Sequence, residues 1–243
     1  MVGTAITNIE GYVVHHTQYK ENDAMVSVLS KDGLFSFLAR GVLKPTAKNA
    51  ASCQLLSHSR FSLGQEKNGS YSLKESEVLK MPDGKDSLER LTAFSFLAEL
   101  TSKLVQNDEA IGAYPFLEAA MEGIAQGVDA FTEILLYFAH VLLIAGYGLD
   151  VDECVFCQSK TEIAGISYAD GGFVCKEDLQ DGVEACDPRK LKILRYAFRC
   201  KVGDFPRVSF EKEECQDLLR ELSQYANDLT GVSLKSLDLL LKA

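Results

Sequence analysis

The hydrophobic pattern changes period once, at Pro82-Asp83-Gly84, and that break constrains the fold more than any other feature of the chain. Before it, apolar residues alternate with polar ones, the two-residue period that sets one face of a strand on a core. Five such runs fall at residues 4–17, 24–30, 34–39, 54–63 and 71–79. Turn chemistry separates them: the polar corner Tyr19-Lys20-Glu21-Asn22-Asp23, the tight hairpin Lys31-Asp32-Gly33, and Asn68-Gly69 within the polar turn 64–70. Gly11 interrupts the first run and marks an expected bulge. Five short strands with one longer connection, at 41–52, fit a small closed barrel of the OB type, with an SH3-like barrel as the nearest rival.

Beyond the break the period becomes helical. Asp86 is placed to cap a helix with Glu89 three positions on, and Leu88, Leu91, Phe94, Ala98 and Val105 recur at helical spacing. Leu97, Leu100 and Leu104 lie off that stripe and predict contacts on more than one side. A second helix is expected to start near Pro115 and stop before Gly127. The third, residues 130–145, is apolar nearly all round. It is short of the roughly 20 residues a membrane span needs and carries Glu133 and His140, so it reads as the buried centre of a helical domain, with His140 a satisfied core histidine. Asp187-Pro188 opens another helix, 209–222 is amphipathic and acidic, and 234–241 closes the chain. The predicted class is therefore α+β multidomain: a five-stranded OB barrel at 1–81, then an all-α helical domain at 82–243 carrying a zinc-ribbon-like insertion at about 150–186.

That insertion holds Cys154-Val-Phe-Cys157 followed by Gly171-Gly172-Phe173-Val174-Cys175. A two-residue gap suits a zinc knuckle, because a tight turn aims both thiolates at one tetrahedral ion about 2.3 Å away. A complete site wants a fourth ligand at position 178, which is Asp178; Cys186 is the other candidate. Zinc is thus an expected cofactor, and the alternative is a ribbon held by its own packing around Phe156, Ile166, Tyr168 and Phe173. Residues 1–10 lack a basic flank followed by an apolar run, so the seven cysteines are expected to be cytoplasmic thiols or metal ligands rather than a disulfide framework.

Net charge of -10 argues against a chain basic throughout, yet the charge is uneven. Residues 1–80 hold nine Lys or Arg against seven Asp or Glu, and the remainder 16 against 28. Arg40, Lys44 and Lys48 follow the third run in a segment broken by Gly41 and Pro45, with Lys20 on a neighbouring loop. Cations held at fixed spacing on a barrel rim engage phosphates without reading sequence, and screening over roughly 8 Å lets a local basic face act beside an acidic body. Phe35, Phe37, Phe61 and Tyr71 fall on strands and are expected to pack rather than stack on bases. A second concentration, Arg189, Lys190, Lys192, Arg195, Arg199 and Lys201, contains no carboxylate and suits either an acidic partner or a solvated helix face.

Taken together, Tyr19-Lys20-Glu21-Asn22-Asp23, Ala39-Arg40-Gly41-Val42-Leu43-Lys44-Pro45, the module at 154–175 and the closing segment 231–237 resemble the RecO family of bacterial recombination mediators, over nearly the whole length. The resemblance implies an OB barrel and a helical domain with a zinc ribbon, in a cytoplasmic, nucleoid-associated protein. It implies binding of single- and double-stranded DNA, annealing of complementary strands, and loading of RecA onto DNA coated by single-strand-binding protein, in partnership with RecR. Arg40, Lys44, Lys48 and Lys20 would then hold phosphates. The acidic tail of single-strand-binding protein would dock on the helical domain, with Arg189, Lys192, Arg195 and Arg199 as its cationic side. Where the family has four cysteines, this chain has Asp178 in the last place.

No catalytic constellation is visible, so the chain is expected not to be an enzyme. Gly84-Lys85 lacks the rest of a phosphate-binding loop, there is no Gly-x-Ser-x-Gly or His-Glu-x-x-His, and His15-His16 are adjacent on a strand and cannot chelate together. Two other readings remain: a metal-dependent enzyme in which Cys154, Cys157 and Cys175 leave a position open for water, and a protein-only adaptor.

Overall fold

The computed structural model describes residues 6–82, 87–179, 183, 185–205 and 207–243. The amino-terminal strands are β1 (Ile6–Gln18), β2 (Ala24–Ser30), β3 (Gly33–Ala39), β4 (His58–Gln65) and β5 (Tyr71–Lys80). They close in the order β1-β2-β3-β5-β4, with β4 returning to β1. All neighbours are antiparallel except β3 and β5, which run parallel through Phe37 with Tyr71 and Leu38 with Ser72. This order is the OB Greek key, and the parallel pair removes the SH3-like alternative. Inward residues Ile9, Val13, Val26, Val28, Phe37, Phe61 and Leu63 fill the interior, with the Phe37 and Phe61 rings 5.2 Å apart.

One local expectation is corrected. The register of β1 against β2 shifts between Val13 and His15, so the bulge lies at Val14 and not at Gly11. Gly11 is required for a different reason: a Cβ there would overlap the Leu29 carbonyl, so the backbones of β1 and β2 can approach only without a side chain. The long connection after β3 is pinned by hydrogen bonds. The Gly41 N–H donates to Asp23 Oδ1 at 2.7 Å, the Leu43 N–H to the Asn22 carbonyl at 3.0 Å, and Ser52 Oγ meets Ser76 Oγ at 2.5 Å.

Six helices follow among the described residues: α1 (Leu88–Leu104), α2 (Asn107–Ala125), α3 (Ala130–Ile144), α4 (Pro188–Arg199), α5 (Lys212–Thr230) and α6 (Leu237–Leu240). The Asp86 cap falls outside the described residues; Ser87 caps α1 by accepting from the Arg90 N–H at 3.3 Å. Phe94, Phe96, Leu97 and Leu100 of α1 are buried, as its broad apolar surface predicts, but Leu88 and Leu91 are exposed. Helix α2 begins eight residues before Pro115, which lies inside it. The start signal is Glu109, whose carboxylate accepts from the Gln106 N–H at 2.7 Å as the second half of a capping box does.

The chain divides into two compact units, Met1–Pro115 with Asp238–Ala243, and Phe116–Leu237. In the second, α3 is the buried centre and packs against α4 and α5. Its cap is Asp129, accepting from Thr132 N–H at 2.7 Å and Thr132 Oγ1 at 2.8 Å. His140 stacks on Phe116, ring centroids 3.3 Å apart. A two-stranded ribbon, β6 (Ile163–Ser167) and β7 (Gly172–Cys175), lies between α3 and α4 in sequence. Among the described residues no helix is long and apolar enough to cross a membrane.

Candidate nucleic-acid interface and metal cluster

On the barrel, the outward faces of β2 and β3 meet the β1–β2 loop and the β4–β5 loop around a cleft of about 550 Å³. Strand alternation builds its floor: with Ala24, Val26 and Val28 turned inward, Met25 faces out, and Ser36 and Leu38 on β3 do the same. Tyr19 is 57% exposed and forms one side. Opposite, the β4–β5 turn is held by Asn68 Oδ1, which accepts from the Ser70 N–H at 3.1 Å and Ser70 Oγ at 2.7 Å. Gly69 occupies the positive φ of 83° that this turn demands. Tyr71, at the start of β5, borders the cleft while its inner part packs on the core.

Arg40 and Lys67 supply the cleft's positive charge, and Glu66 its negative charge. The Glu66 carboxylate accepts from Ser72 Oγ at 2.6 Å and lies 3.7 Å from Lys74 Nζ and 4.0 Å from Arg40 Nη2. The Ser72 hydrogen bond, then the Lys74 charge, hold this carboxyl below its ordinary range.

Of the four cations expected to meet phosphate, Arg40 alone lines this cleft. Lys20 sits on its rim with Nζ 5.7 Å from the Tyr19 ring centroid. Lys44 and Lys48 are exposed on the connection after β3 and do not line it. Phe37 and Phe61 are core residues as expected and Phe35 is partly buried against them, whereas Tyr71 reaches the cleft. Sequence reading passed over Tyr19, Met25, Leu38, Glu66 and Lys67. The signal was available: once an OB order is assumed, outward positions of β2 and β3 and the two loops are where oligonucleotides bind such barrels.

In the second unit, the turn after Cys154 is closed by the Gln158 N–H donating to the Cys154 carbonyl at 2.9 Å, which brings Cys157 back beside it. Cys175 ends β7, and Asp178 closes the short 3-10 turn that follows. The three thiol sulfurs and one Asp178 oxygen all lie within 4.8 Å of one another. Asp178 Oδ2 accepts from Cys154 Sγ and Cys175 Sγ at 3.2 Å each, and Cys157 Sγ is 3.6 Å from Cys175 Sγ. A tetrahedral ion with Zn–S of about 2.3 Å sets sulfurs about 3.8 Å apart, so this donor set fits zinc with only slight movement. Hydrogen bonding to Asp178 pushes the Cys157 thiol up to about 12, and the same thiols, Cys157 first, hold Asp178 below its ordinary range. An ion would displace those protons. Cys186 is not among the clustered donors. Of the residues expected to pack the ribbon, Ile166 and Phe173 are buried and Tyr168 is half-buried, but Phe156 is exposed; Cys154, Val174 and Cys175 form a cluster with Val155, Ile163 and Leu179.

The cations of α4 are largely engaged within the unit. Arg189 Nε lies 2.7 Å from Glu214, Lys190 Nζ 2.6 Å from Glu221, and Arg195 and Arg199 both pair with Asp152. Lys192 is exposed.

Fold and sites define a class: an OB-barrel protein whose helical portion carries a ribbon with a zinc-competent cluster of three cysteines and an aspartate. The comparisons assign the family. Residues 4–82 match the model of the recombination protein O N terminal domain and residues 85–238 that of its C terminal domain, so the chain belongs to the recombination protein O (RecO) family, whose role is in DNA repair and recombination. It is 29% identical over 240 residues to the DNA repair protein RecO of Bacillus cytotoxicus, and likewise to that of Bacillus mycoides, covering 94% of each chain. The DNA repair protein RecO of Bacillus anthracis is 28% identical over 235 residues, again covering 94% of both chains. Among solved structures, an asparaginyl-tRNA synthetase from Pyrococcus horikoshii overlaps 51% of this chain and 33% of its own at a TM-score of 0.26 and 10% identity, too loosely to inform the fold.

Proposed function

We propose that the protein is a recombination mediator that binds single- and double-stranded DNA, anneals complementary strands and helps load RecA onto DNA coated by single-strand-binding protein, together with RecR. The barrel, residues 1–81, is the DNA-binding domain, and residues 82–243 carry the partner contacts. What supports this reading most directly is the cleft in which Tyr19 and Tyr71 stand beside Arg40 and Lys67 on the face OB barrels use for oligonucleotides. Aromatic rings offer stacking to any base and the cations take phosphates regardless of sequence, which suits a factor acting anywhere in a genome. Lys20 adds a cation beside Tyr19, and Lys44 and Lys48 extend the basic surface away from the cleft.

Zinc would be held by Cys154, Cys157, Cys175 and Asp178, and its contribution is structural, tying the Cys154 turn to the end of β7. Asp178 stands where a catalytic zinc would keep water, so the reading assigns the protein no reaction of its own. The exposed Arg195 and Arg199 are the proposed cationic side for the acidic tail of single-strand-binding protein, in which case the tail must displace Asp152. Anisotropy of a labelled single-stranded oligonucleotide across a salt series tests the core of the reading. A mediator gives a negative log-log slope of several units. Failure of the protein alone to bind at low salt refutes it in favour of a protein-only adaptor.

A further inference from the structure

Glu66 is out of place in a cleft built for a polyanion. It is not an idle surface acid: Ser72 Oγ donates to it at 2.6 Å, and it lies within 4.0 Å of both Lys74 Nζ and Arg40 Nη2. The stem of Lys74 crosses from β5 over Gly64 of β4, where a Cβ would overlap it, so the bare glycine leaves room for this lysine to reach the carboxylate. Glu66 therefore occupies the position between two cations that a phosphate would otherwise take.

We propose that Glu66 is a specificity-determining residue, an internal counter-anion that makes the cleft prefer single-stranded over duplex DNA. The inference rests on the reading of the barrel as a nucleic-acid interface and deepens it. With Arg40 and Lys74 partly neutralised, phosphate attraction alone binds weakly, and any phosphate entering must displace a carboxylate, which then recruits a cation from solution and reduces the net release of ions. A single strand compensates by laying its bases on Tyr19 and Tyr71 and on the apolar floor of Met25 and Leu38. A duplex keeps its bases stacked inside and offers phosphates alone, so the carboxylate discriminates against it.

The test uses the full chain, a labelled oligothymidylate and a blunt-ended duplex of equal length, each titrated across a salt series with wild type, Glu66→Gln, Glu66→Asp and Tyr19→Ala. Glu66→Gln is expected to gain roughly three- to tenfold in duplex affinity, with a log-log salt slope steeper by about one unit, and to gain less on the single strand. Glu66→Asp keeps the wild-type preference, and Tyr19→Ala loses single-strand affinity with little change on the duplex. If Glu66→Gln weakens both probes in proportion, Glu66 merely positions Arg40 and the inference is overturned. An unchanged preference in Glu66→Gln overturns it as well, while leaving the nucleic-acid reading intact. A wild type that binds neither probe overturns both.

Discussion

Glu133 offers the sharpest test of the packing described for the helical portion. It lies one turn into α3, is 0% exposed, and neither carboxylate oxygen has a hydrogen-bond partner among the described residues. Its carboxyl is pressed against α2 at Gly123, where a Cβ would collide with it. Desolvation first, then the Asp129 charge, raise its pKa from 4.5 to about 8. Folding therefore favours the protonated acid. The stabilisation is fully present below pH 4.5, is lost progressively as pH rises, and is exhausted above about 8. At roughly 1.4 kcal/mol per pH unit, the interval from 4.5 to 7 corresponds to about 3 kcal/mol of lost stability at neutral pH. Glu133→Gln keeps the shape and cannot ionise, so it should be near neutral at pH 5, more stable than wild type by about 3 kcal/mol at pH 7, and by somewhat more at pH 8. Urea unfolding followed by circular dichroism at pH 5, 6, 7 and 8 reads this directly, with the two proteins diverging as pH rises. Parallel profiles would refute the reasoning, since they would mean that water or a hydrogen-bond donor reaches the Glu133 carboxylate in the folded protein.

Other outcomes follow from the same structure. Arg40→Ala should weaken single-strand affinity by about 1 kcal/mol while moving stability by no more than about 0.5 kcal/mol, and Lys44→Ala, outside the cleft, should weaken it by less, both by anisotropy and thermal melting. Elemental analysis of the purified protein should give one zinc per chain, and Asp178→Ala should lower zinc affinity by tenfold or more in a chelator competition, whereas Cys186→Ser should leave it unchanged. Gly11→Ala should destabilise the barrel by more than about 2 kcal/mol, because its Cβ must push against the Leu29 carbonyl; a neutral result would show that β1 and β2 can separate at no cost. Charge reversal at both Arg195 and Arg199 should reduce affinity for an acidic, apolar-ended peptide in calorimetry, and unchanged affinity would remove the assignment of that helix as a docking side.

The barrel was legible because its information is local. Alternation over six to fourteen residues, Lys31-Asp32-Gly33 and Asn68-Gly69 each fix a strand or turn without help from elsewhere, and the five strands emerged within a few residues of their ends. The errors had two causes. Gly11 reads as a bulge from its own strand, but the Leu29 carbonyl that requires it is 18 residues away; Pro115 reads as a helix start because proline is a strong first-turn signal, and the nearby capping contact of Glu109 with Gln106 is a weaker one. In the metal cluster, spacing alone found Cys154, Cys157, Cys175 and Asp178, because each pair is close in sequence and the ribbon only has to bring two turns together.

Charge was the least legible property. The run from Arg189 to Lys201 contains no acid of its own, and from that window it looks like an open basic surface. Its counter-ions lie elsewhere: Glu214 and Glu221 on α5 and Asp152 before the ribbon, between 20 and 50 residues away in sequence. The cleft shows the converse, since Arg40 reads as a free phosphate ligand until β4 and β5 bring Glu66 to it. Exposed pairs of this kind contribute little to stability, about 0 to 1 kcal/mol each, so they can be exchanged for a ligand's charges at small cost. What they change is selectivity, because a cation already holding a carboxylate responds less to a bare polyanion than to a ligand that brings further contacts with it. A protein with net charge -10 can therefore present basic sites without binding every polyanion it meets, and the internal acids beside those sites supply the restraint.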